Sequence, residues 1–218
     1  MTRILVIDDH AIVRQAITQF LVDKRLAKEV IEAATGEAAL RLLKRGKWNL
    51  VLLDIALPDH NGLELLRQIR QTPGAPPVLM FSMYGEELYG VRALKTGAAG
   101  YLCKTAEPAE LEQAVRQTLA GRKYLSVSLA ETLARYIATD SGQLPHEKLS
   151  SREYQTLCLL GSGKRLSDVA DILSLSVKTV SVYRTRLLEK LNLANNAELT
   201  YYVLRNHLVE MDSGQTAS

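Results

Sequence analysis

The stretch LVLLDIALPDHNG, residues 50–62, decides the fold of the first part of the chain. It begins with an apolar run, meets a single carboxylate at Asp54 and then passes through Pro58 to Gly62. A short, continuous apolar run is typical of a strand that is covered on both faces of a parallel sheet. The same kind of run recurs along residues 1–121, and the predicted strands are Ile4–Asp8, Val30–Ala33, Leu50–Asp54, Val78–Ser82 and Gly100–Cys103.

Helical patterns fall between these strands and after the last one. They cover residues 12–22, 36–45, 63–71, 86–96 and 108–120, where Pro108 suits a first helical turn and Gly121 suits the stop. Five βα units with short connections predict an α/β domain with a doubly wound parallel sheet in residues 1–121. Ligands of such sheets gather at the carboxyl ends of the strands.

The pattern changes after residue 121. Residues 122–148 indicate a linker that includes a helix over Val127–Ile137, because a polar stretch with Gly and Pro follows that helix. Residues 149–212 are helical throughout, and residues 213–218 are predicted to be a disordered tail. Within the helical part, Leu166–Leu173 and Val177–Leu191 are separated by three residues, which matches helix-turn-helix geometry.

The composition is that of a globular protein without membrane-spanning segments. Of 218 residues, 47% are hydrophobic and 23% charged, ordinary values for a globular protein, and the apolar runs are too short to cross a bilayer. The first apolar run ends at Asp8 and Asp9, so we expect a buried strand and no signal peptide. Cys103 and Cys158 show neither a disulfide pattern nor metal-ligand spacing, so the expected location is the cytoplasm.

Polar residues terminate four of the predicted strands. Asp8 with Asp9, Asp54, Ser82 and Lys104 would converge on one edge of the sheet if the strands are parallel and adjacent. Three carboxylates in one pocket repel one another, and a hard divalent cation such as Mg²⁺ relieves this repulsion.

The chemistry of a phosphoryl group then suggests a role for each residue. Asp54 is the candidate nucleophile and phosphoacceptor. Asp8, Asp9 and Asp54, with the backbone carbonyl of Ala56, are the candidate Mg²⁺ ligands. Lys104 would neutralise charge on the phosphoryl oxygens, and Ser82 would donate a hydrogen bond to one of them. Singly, an aspartate at a strand end more often caps a helix or forms a turn.

An enzyme is the alternative from another class. Aspartyl phosphatases generally need an acid or base carboxylate two residues after the nucleophile, and this chain has Ala56 there. We therefore expect no turnover on external substrates.

The motifs around these residues resemble the receiver domain of two-component response regulators. They are Asp8-Asp9, the stretch from Leu52 to Gly62, Ser82, and the stretch from Gly97 to Lys104. The resemblance implies a flavodoxin-like fold with strand order 2-1-3-4-5 and a phosphohistidine donor on a sensor histidine kinase. It also implies that Tyr101 is an aromatic switch that follows Ser82. Thr105 departs from the proline that many receivers have after the lysine, so a cis bond is not expected there.

Residues from about 149 to 210 resemble the four-helix, LuxR-type helix-turn-helix domain of the NarL/FixJ class. The resemblance implies that Lys178–Leu191 is the recognition helix and that a last helix at about 197–206 supports dimerisation. The expected function is thus transcription regulation on double-stranded DNA, switched by phosphorylation of Asp54. The expected partners are the kinase, DNA and a second copy of the chain, with no membrane.

The helical period of residues 177–191 separates a core face from a DNA face. Val177, Val180, Leu187 and Leu191 share the predicted core face. The opposite face carries the predicted DNA contacts Lys178, Ser181, Val182, Thr185 and Arg186, among which Val182 would touch a thymine methyl. Arg184 lies near the core side, and it either extends to a phosphate or serves packing.

A third hypothesis stays open from the sequence. The chain would bind DNA constitutively, and its receiver would serve only as a platform for dimerisation.

Overall fold

A computed structural model describes residues 2–138, 144–206 and 208–209. The chain divides between Ala138 and Thr139 into two compact units. The predicted tail at residues 213–218 lies outside the described residues.

The first unit is built on a five-stranded parallel sheet with the order β2-β1-β3-β4-β5, as predicted. Its inner strands are apolar and buried along almost their whole length, because helices cover both faces. The strands are β1 (Arg3–Ile7), β2 (Glu29–Ala33), β3 (Leu50–Leu53), β4 (Val78–Ser82) and β5 (Gly100–Cys103).

Five helices alternate with these strands, and a sixth follows. Thr35 and Asn61 cap the second and third by accepting hydrogen bonds from backbone N–H groups, and Pro108 opens the fifth, as its fixed φ favours. The helices are α1 (Ala11–Asp23), α2 (Gly36–Arg45), α3 (Gly62–Arg70), α4 (Glu86–Thr96), α5 (Pro108–Leu119) and α6 (Val127–Ala138).

Helix α6 belongs to the first unit, although the sequence places it in a linker. Leu129 is fully buried, and it packs so closely on Gly90 of α4 that no larger residue fits at position 90 without displacing it. Ser126 donates a hydrogen bond to Glu86 at the start of α4. The sequence pattern shows a helix here but not its packing partner, because Leu129 and Gly90 are far apart along the chain.

The second unit is helical. A 3-10 turn (Pro145–Lys148) precedes four helices, and α7 contacts the other three. Ser150 and Glu153 form a capping box at the start of α7. The helices are α7 (Ser151–Gly161), α8 (Leu166–Leu173), α9 (Val177–Leu191) and α10 (Asn196–Arg205).

The turn between α8 and α9 has helix-turn-helix form. Ser174 ends α8 in the left-handed region, at φ 53°, and Ser176 caps α9 by accepting from the Thr179 N–H at 3.1 Å. Val180, Leu187 and Leu191 are buried as the helical period predicts. Val177 is 49% exposed, so its assignment to the core was wrong; it lies in the first turn of α9, at the margin of the packed face.

None of the helices in the described residues is long and apolar enough to span a membrane.

Candidate functional site

Adjacent parallel strands bring the predicted polar residues to one edge of the sheet. Ile7 on β1 pairs with Leu53 on β3, so Asp8 and Asp54 leave the sheet side by side. Ser82 ends β4, and its carbonyl accepts from the Lys104 N–H at 2.8 Å, which fixes the residue after β5.

The side chains of these residues contact one another. Lys104 Nζ lies 2.5 Å from Asp8 Oδ2 and 2.6 Å from Asp54 Oδ2, and it therefore bridges the two carboxylates. Ser82 Oγ donates to Asp54 Oδ1 at 2.6 Å. Asp8 and Asp54 are 2% and 3% exposed, so little solvent screens these charges.

Burial and charge act in opposite directions on this cluster. Burial raises the pKa of Asp54, and the opposing effects of Lys104 and Ser82 do not fully offset it. Burial alone would lower the pKa of Lys104, but the carboxylates of Asp54 and Asp8 raise it above its ordinary value. Lys104 thus stays cationic between two acids at neutral pH.

The pocket has the donor set that a hard cation requires. One ligand atom from each of Asp8, Asp9, His10 and Asp54 lies within 4.8 Å of the others. Three of these residues offer carboxylate oxygens, the ligands that Mg²⁺ prefers. Lys104 is one ammonium against three carboxylates, so negative charge remains for a cation to neutralise.

His10 was missed by the sequence reasoning. Its Nδ1 lies 2.6 Å from Asp9 Oδ1 and 3.3 Å from Asp8 Oδ1, and its backbone N–H donates to Asp8 Oδ1 at 2.8 Å. The only signal in the sequence is its position directly after the two aspartates. His10 thus contacts both carboxylates.

Tyr101 is fully buried on β5, and its hydroxyl donates to the Tyr84 carbonyl at 2.7 Å. Tyr84 lies two residues after Ser82, so the loop between β4 and α4 joins the pocket around Asp54 to the aromatic ring. The bond between Lys104 and Thr105 is trans, as expected without proline.

The predicted DNA face of α9 is exposed in the second unit. Lys178, Ser181, Thr185 and Arg186 are exposed, and Val182 keeps 44% of its surface. The Thr185 hydroxyl donates to the Ser181 carbonyl at 3.1 Å.

Two basic residues of α9 serve the packing of the unit. Arg184 Nε donates to Asn196 Oδ1 at 2.6 Å, which ties α9 to the first turn of α10 and favours the packing alternative. Lys190 Nζ lies 2.7 Å and 2.8 Å from the two carboxylate oxygens of Glu153 on α7. Of the four basic residues of α9, Lys178 and Arg186 are the two on its predicted DNA face.

Comparisons with known proteins agree with this architecture. Residues 4–116 match the family model of the response regulator receiver domain, and residues 147–203 match that of the bacterial regulatory proteins of the luxR family. The response regulator UvrY of Escherichia coli K12 is 32% identical over 214 residues, which cover 98% of each chain. The response regulator GacA of Pseudomonas aeruginosa is 34% identical over 214 residues, which cover 98% of this chain and all of GacA.

Solved structures are also similar. A LuxR-family two-component response regulator from Aurantimonas is 37% identical with a TM-score of 0.57, covering 63% of this chain and 99% of that one. RcsB of Salmonella enterica, bound to promoter rprA in the presence of a phosphomimetic, is 22% identical with a TM-score of 0.62, covering 93% of this chain and 98% of that one. The likeness to RcsB concerns the fold.

With a receiver fold ahead of a helix-turn-helix, and with relatives that match both over their whole length, the chain belongs to the DNA-binding response regulators of two-component systems, in the NarL/FixJ class with a LuxR-type domain.

Proposed function

We propose that Asp54 accepts a phosphoryl group from a phosphohistidine of a sensor kinase, and that this phosphorylation controls DNA binding through α9. The observation that carries the proposal is the contact of Asp54 with both Lys104 and Ser82 at the carboxyl edge of the sheet. An aspartate that only forms a turn or caps a helix does not require an ammonium and a hydroxyl donor beside it.

The transfer step uses the Asp54 carboxylate as the nucleophile. One of its oxygens attacks phosphorus, the phosphorus–nitrogen bond of phosphohistidine breaks, and the imidazole leaves with that electron pair. Lys104 neutralises charge on the phosphoryl oxygens. Ser82 moves its hydrogen bond from Asp54 to a phosphoryl oxygen.

We further propose that Mg²⁺ is held by Asp8, Asp9 and Asp54 together with the backbone carbonyl of Ala56. When bound, the ion supplies positive charge that offsets the charge of the phosphoryl oxygens. The close approach of the carboxylate oxygens supports this assignment.

The magnesium proposal predicts that EDTA abolishes phosphoryl uptake from acetyl phosphate and that added Mg²⁺ restores it. Asp9→Asn should raise the Mg²⁺ concentration required about tenfold or more, because one ligand is lost. Titration of the Mg²⁺-dependent change in Tyr fluorescence gives a readout besides phosphorylation. Asp23→Asn, an exposed acid at the end of α1, is the control.

Ser82 and Tyr101 form the proposed switch. Movement of Ser82 toward the phosphoryl group shifts the loop that carries Tyr84, whose carbonyl accepts from Tyr101. Loss of that contact would leave a buried hydroxyl without its acceptor, so the ring and the loop must move together.

Phosphorylation of Asp54 is tested by Asp54→Asn in the full chain. The variant should lose the acid-labile phosphate and should not gain operator affinity when acetyl phosphate is added, because an amide cannot form the acyl phosphate. Phosphate analysis and footprinting measure the two effects. Uptake of phosphate at the same position by the variant would refute the assignment.

DNA reading is assigned to the exposed face of α9. Lys178 and Arg186 would bind phosphates. Ser181 and Thr185 would form hydrogen bonds with bases or phosphates, and Val182 would contact a thymine methyl. Arg184 remains a weaker candidate because its guanidinium already donates to Asn196.

Pairing of two chains is the proposed link between the two units. Two half-sites multiply the modest affinity of one helix-turn-helix, and α10 is the proposed contact between the DNA-binding units. Tyr201 on α10 is 66% exposed, which supports a partner there.

The constitutive alternative predicts equal DNA affinity with and without a phosphoryl donor. The contacts of Lys104 and Ser82 with Asp54 favour the switched regulator, because a receiver used only as a platform does not require them. Turnover on external substrates is not proposed, since Ala56 supplies no acid or base; steady hydrolysis of a small phosphomonoester would contradict this. We place the protein in the cytoplasm, where both free cysteines stay reduced.

A further inference from the structure

Helix α6 exposes an apolar stripe on the side that does not contact α4. Val127 and Ile137 are 79% and 71% exposed, and Ala130 and Ala134 between them are exposed as well. Spacings of three, four and three residues place all four on one face of a helix. These four residues are called the α6 stripe.

The opposite face of α6 is held on the receiver. Leu129 is buried against Gly90, and Tyr136 contacts Lys95, whose Nζ lies 4.1 Å from the centre of the ring. Because these contacts fix the rotation of the helix about its axis, the α6 stripe stays exposed and cannot turn toward the receiver core.

We propose that the α6 stripe is a contact between two copies of this chain, with the two α6 helices antiparallel about a twofold axis. The stripe reads nearly the same in both directions, with a β-branched residue at each end and alanine at the two inner positions. Val127 then meets Ile137 of the second copy, and Ala130 meets its Ala134. Such self-complementarity is what an isologous interface requires, and the alanines let the helices approach closely.

Charge complementarity supports this arrangement. Glu131 and Arg135 are exposed along one flank of the α6 stripe. In an antiparallel pair, Glu131 of each copy lies beside Arg135 of the other, so two opposite-charge pairs form at once. In a parallel pair, Glu131 of one copy would lie beside the uncharged Leu133 of the other, and neither of the two opposite-charge pairs would form.

The size of the α6 stripe sets its role. A stable dimer buries about 800 Å² on each partner, and four side chains on a three-turn helix provide only a part of that. The contact therefore rests on the proposed pairing of phosphorylated chains, to which it adds affinity once other surfaces bring two copies together.

Charge-swapped full-length chains test the proposal. Glu131→Arg and Arg135→Glu each place like charges on the flank, so each variant alone should self-associate about tenfold more weakly than the original chain. An equimolar mixture should restore association, because every Arg then meets a Glu. Pairing within one helix cannot explain this rescue, since each chain in the mixture still carries two like charges. Sedimentation velocity with one labelled chain, in acetyl phosphate and Mg²⁺, measures the association.

Glu37→Arg and Arg41→Glu are the matched controls. Their side chains form an exposed pair on α2, 2.7 Å apart and also one turn apart, so the swaps should leave association unchanged. Association of the α6 variants at the original strength, or a mixture no stronger than each variant alone, overturns the proposal. Phosphoryl uptake is measured in parallel. Uptake with no restored association in the mixture would contradict only the α6 contact. Absence of uptake by the original chain would instead contradict the proposed function.

Disulfide trapping gives a second measurement that does not depend on charge. In chains with Cys103→Ser and Cys158→Ala, one copy carries Ala130→Cys and the other Ala134→Cys. Oxidised glutathione should join the two different chains, since these positions face each other in the antiparallel pair. Lys44→Cys on α2 should not crosslink. Disulfides mainly between two copies of the Ala130→Cys chain would show a parallel pair and refute the arrangement.

Discussion

At the scale of single residues, Lys104 is the residue that holds the charged groups of the site together. Its ammonium bridges Asp8 and Asp54 and keeps two buried carboxylates from being left unpaired. Breaking a buried ion pair by removing one partner costs about 3–5 kcal/mol, because an uncompensated charge remains in the interior. Lys104 therefore holds the two carboxylates of the pocket together.

Position 62 beside the pocket has no room for a side chain larger than that of glycine. A Cβ at this position would lie 2.1 Å from the Asp54 carbonyl oxygen and 2.6 Å from Ile55 Cα, and both are backbone atoms that cannot move cheaply. Gly62→Ala should destabilise the receiver by about 2–3 kcal/mol, as overpacking in a dense core does. Urea unfolding checks the loss, and phosphoryl uptake should fall with it because the Asp54 backbone is displaced.

Gly85→Ala is the control for this prediction. Its added methyl would meet only the flexible end of Glu87, 2.7 Å away, so the side chain can give way. Equal effects of the two substitutions would show that contact with the Asp54 backbone is not what requires glycine.

At the scale of elements, Glu153 joins the capping of α7 to the position of α9. It accepts from the Ser150 N–H at 2.8 Å and binds Lys190 of α9. Burial would raise the pKa of Glu153, but the hydrogen bonds with Lys190 and Ser150 outweigh it and lower the pKa. The first helix of the second unit is thereby tied to α9.

Glu153→Gln should lower the stability of the second unit by about 1–2 kcal/mol at pH 7, a figure reduced because Lys190 is half exposed. A lowered folded-state pKa means that the ionised form stabilises the fold above the ordinary value of 4.5. The difference between the original chain and the variant should therefore be complete at pH 7 and shrink as the pH falls below about 4.5. Denaturant unfolding across this range measures it, with the exposed Glu189→Gln as the control. A difference that stays constant with pH would exclude the ion pair as its source.

At the scale of the whole molecule, the chain carries a small excess of positive charge with which to bind DNA. The net charge is +3, and on α9 both Arg184 and Lys190 are engaged by neighbouring helices. We infer that affinity for DNA comes from a small number of phosphate contacts, and that the proposed pairing of two chains would multiply it.

Salt dependence of operator binding tests this view. Lys178→Ala and Arg186→Ala should each lower the slope of log affinity against log salt concentration by about one per half-site, since each removes a phosphate contact. Val182→Ser should leave the slope unchanged and weaken only sites with a thymine at the contacted position. Lys44→Ala in the receiver should change neither. An unchanged slope for Lys178→Ala would remove this residue from the DNA contacts.

The sequence by itself determined the strands, the helices, the strand order implied by the resemblance, and the residues that end at the carboxyl edge of the sheet. These follow from local periodicity and from motifs whose spacing is visible along the chain, as at Asp54 and Lys104. The helical period also predicted the exposed face of α9.

Only the tertiary structure decided which of these residues contact one another over long distances in sequence. In the structure, α6 packs on α4 through Leu129 and Gly90. Arg184 and Lys190 of α9 bind side chains of neighbouring helices. Val177 is exposed at the margin of the core. The reason is physical: periodicity tells which face of a helix is apolar, but the partner of that face, and of each charge, depends on where the other elements pack.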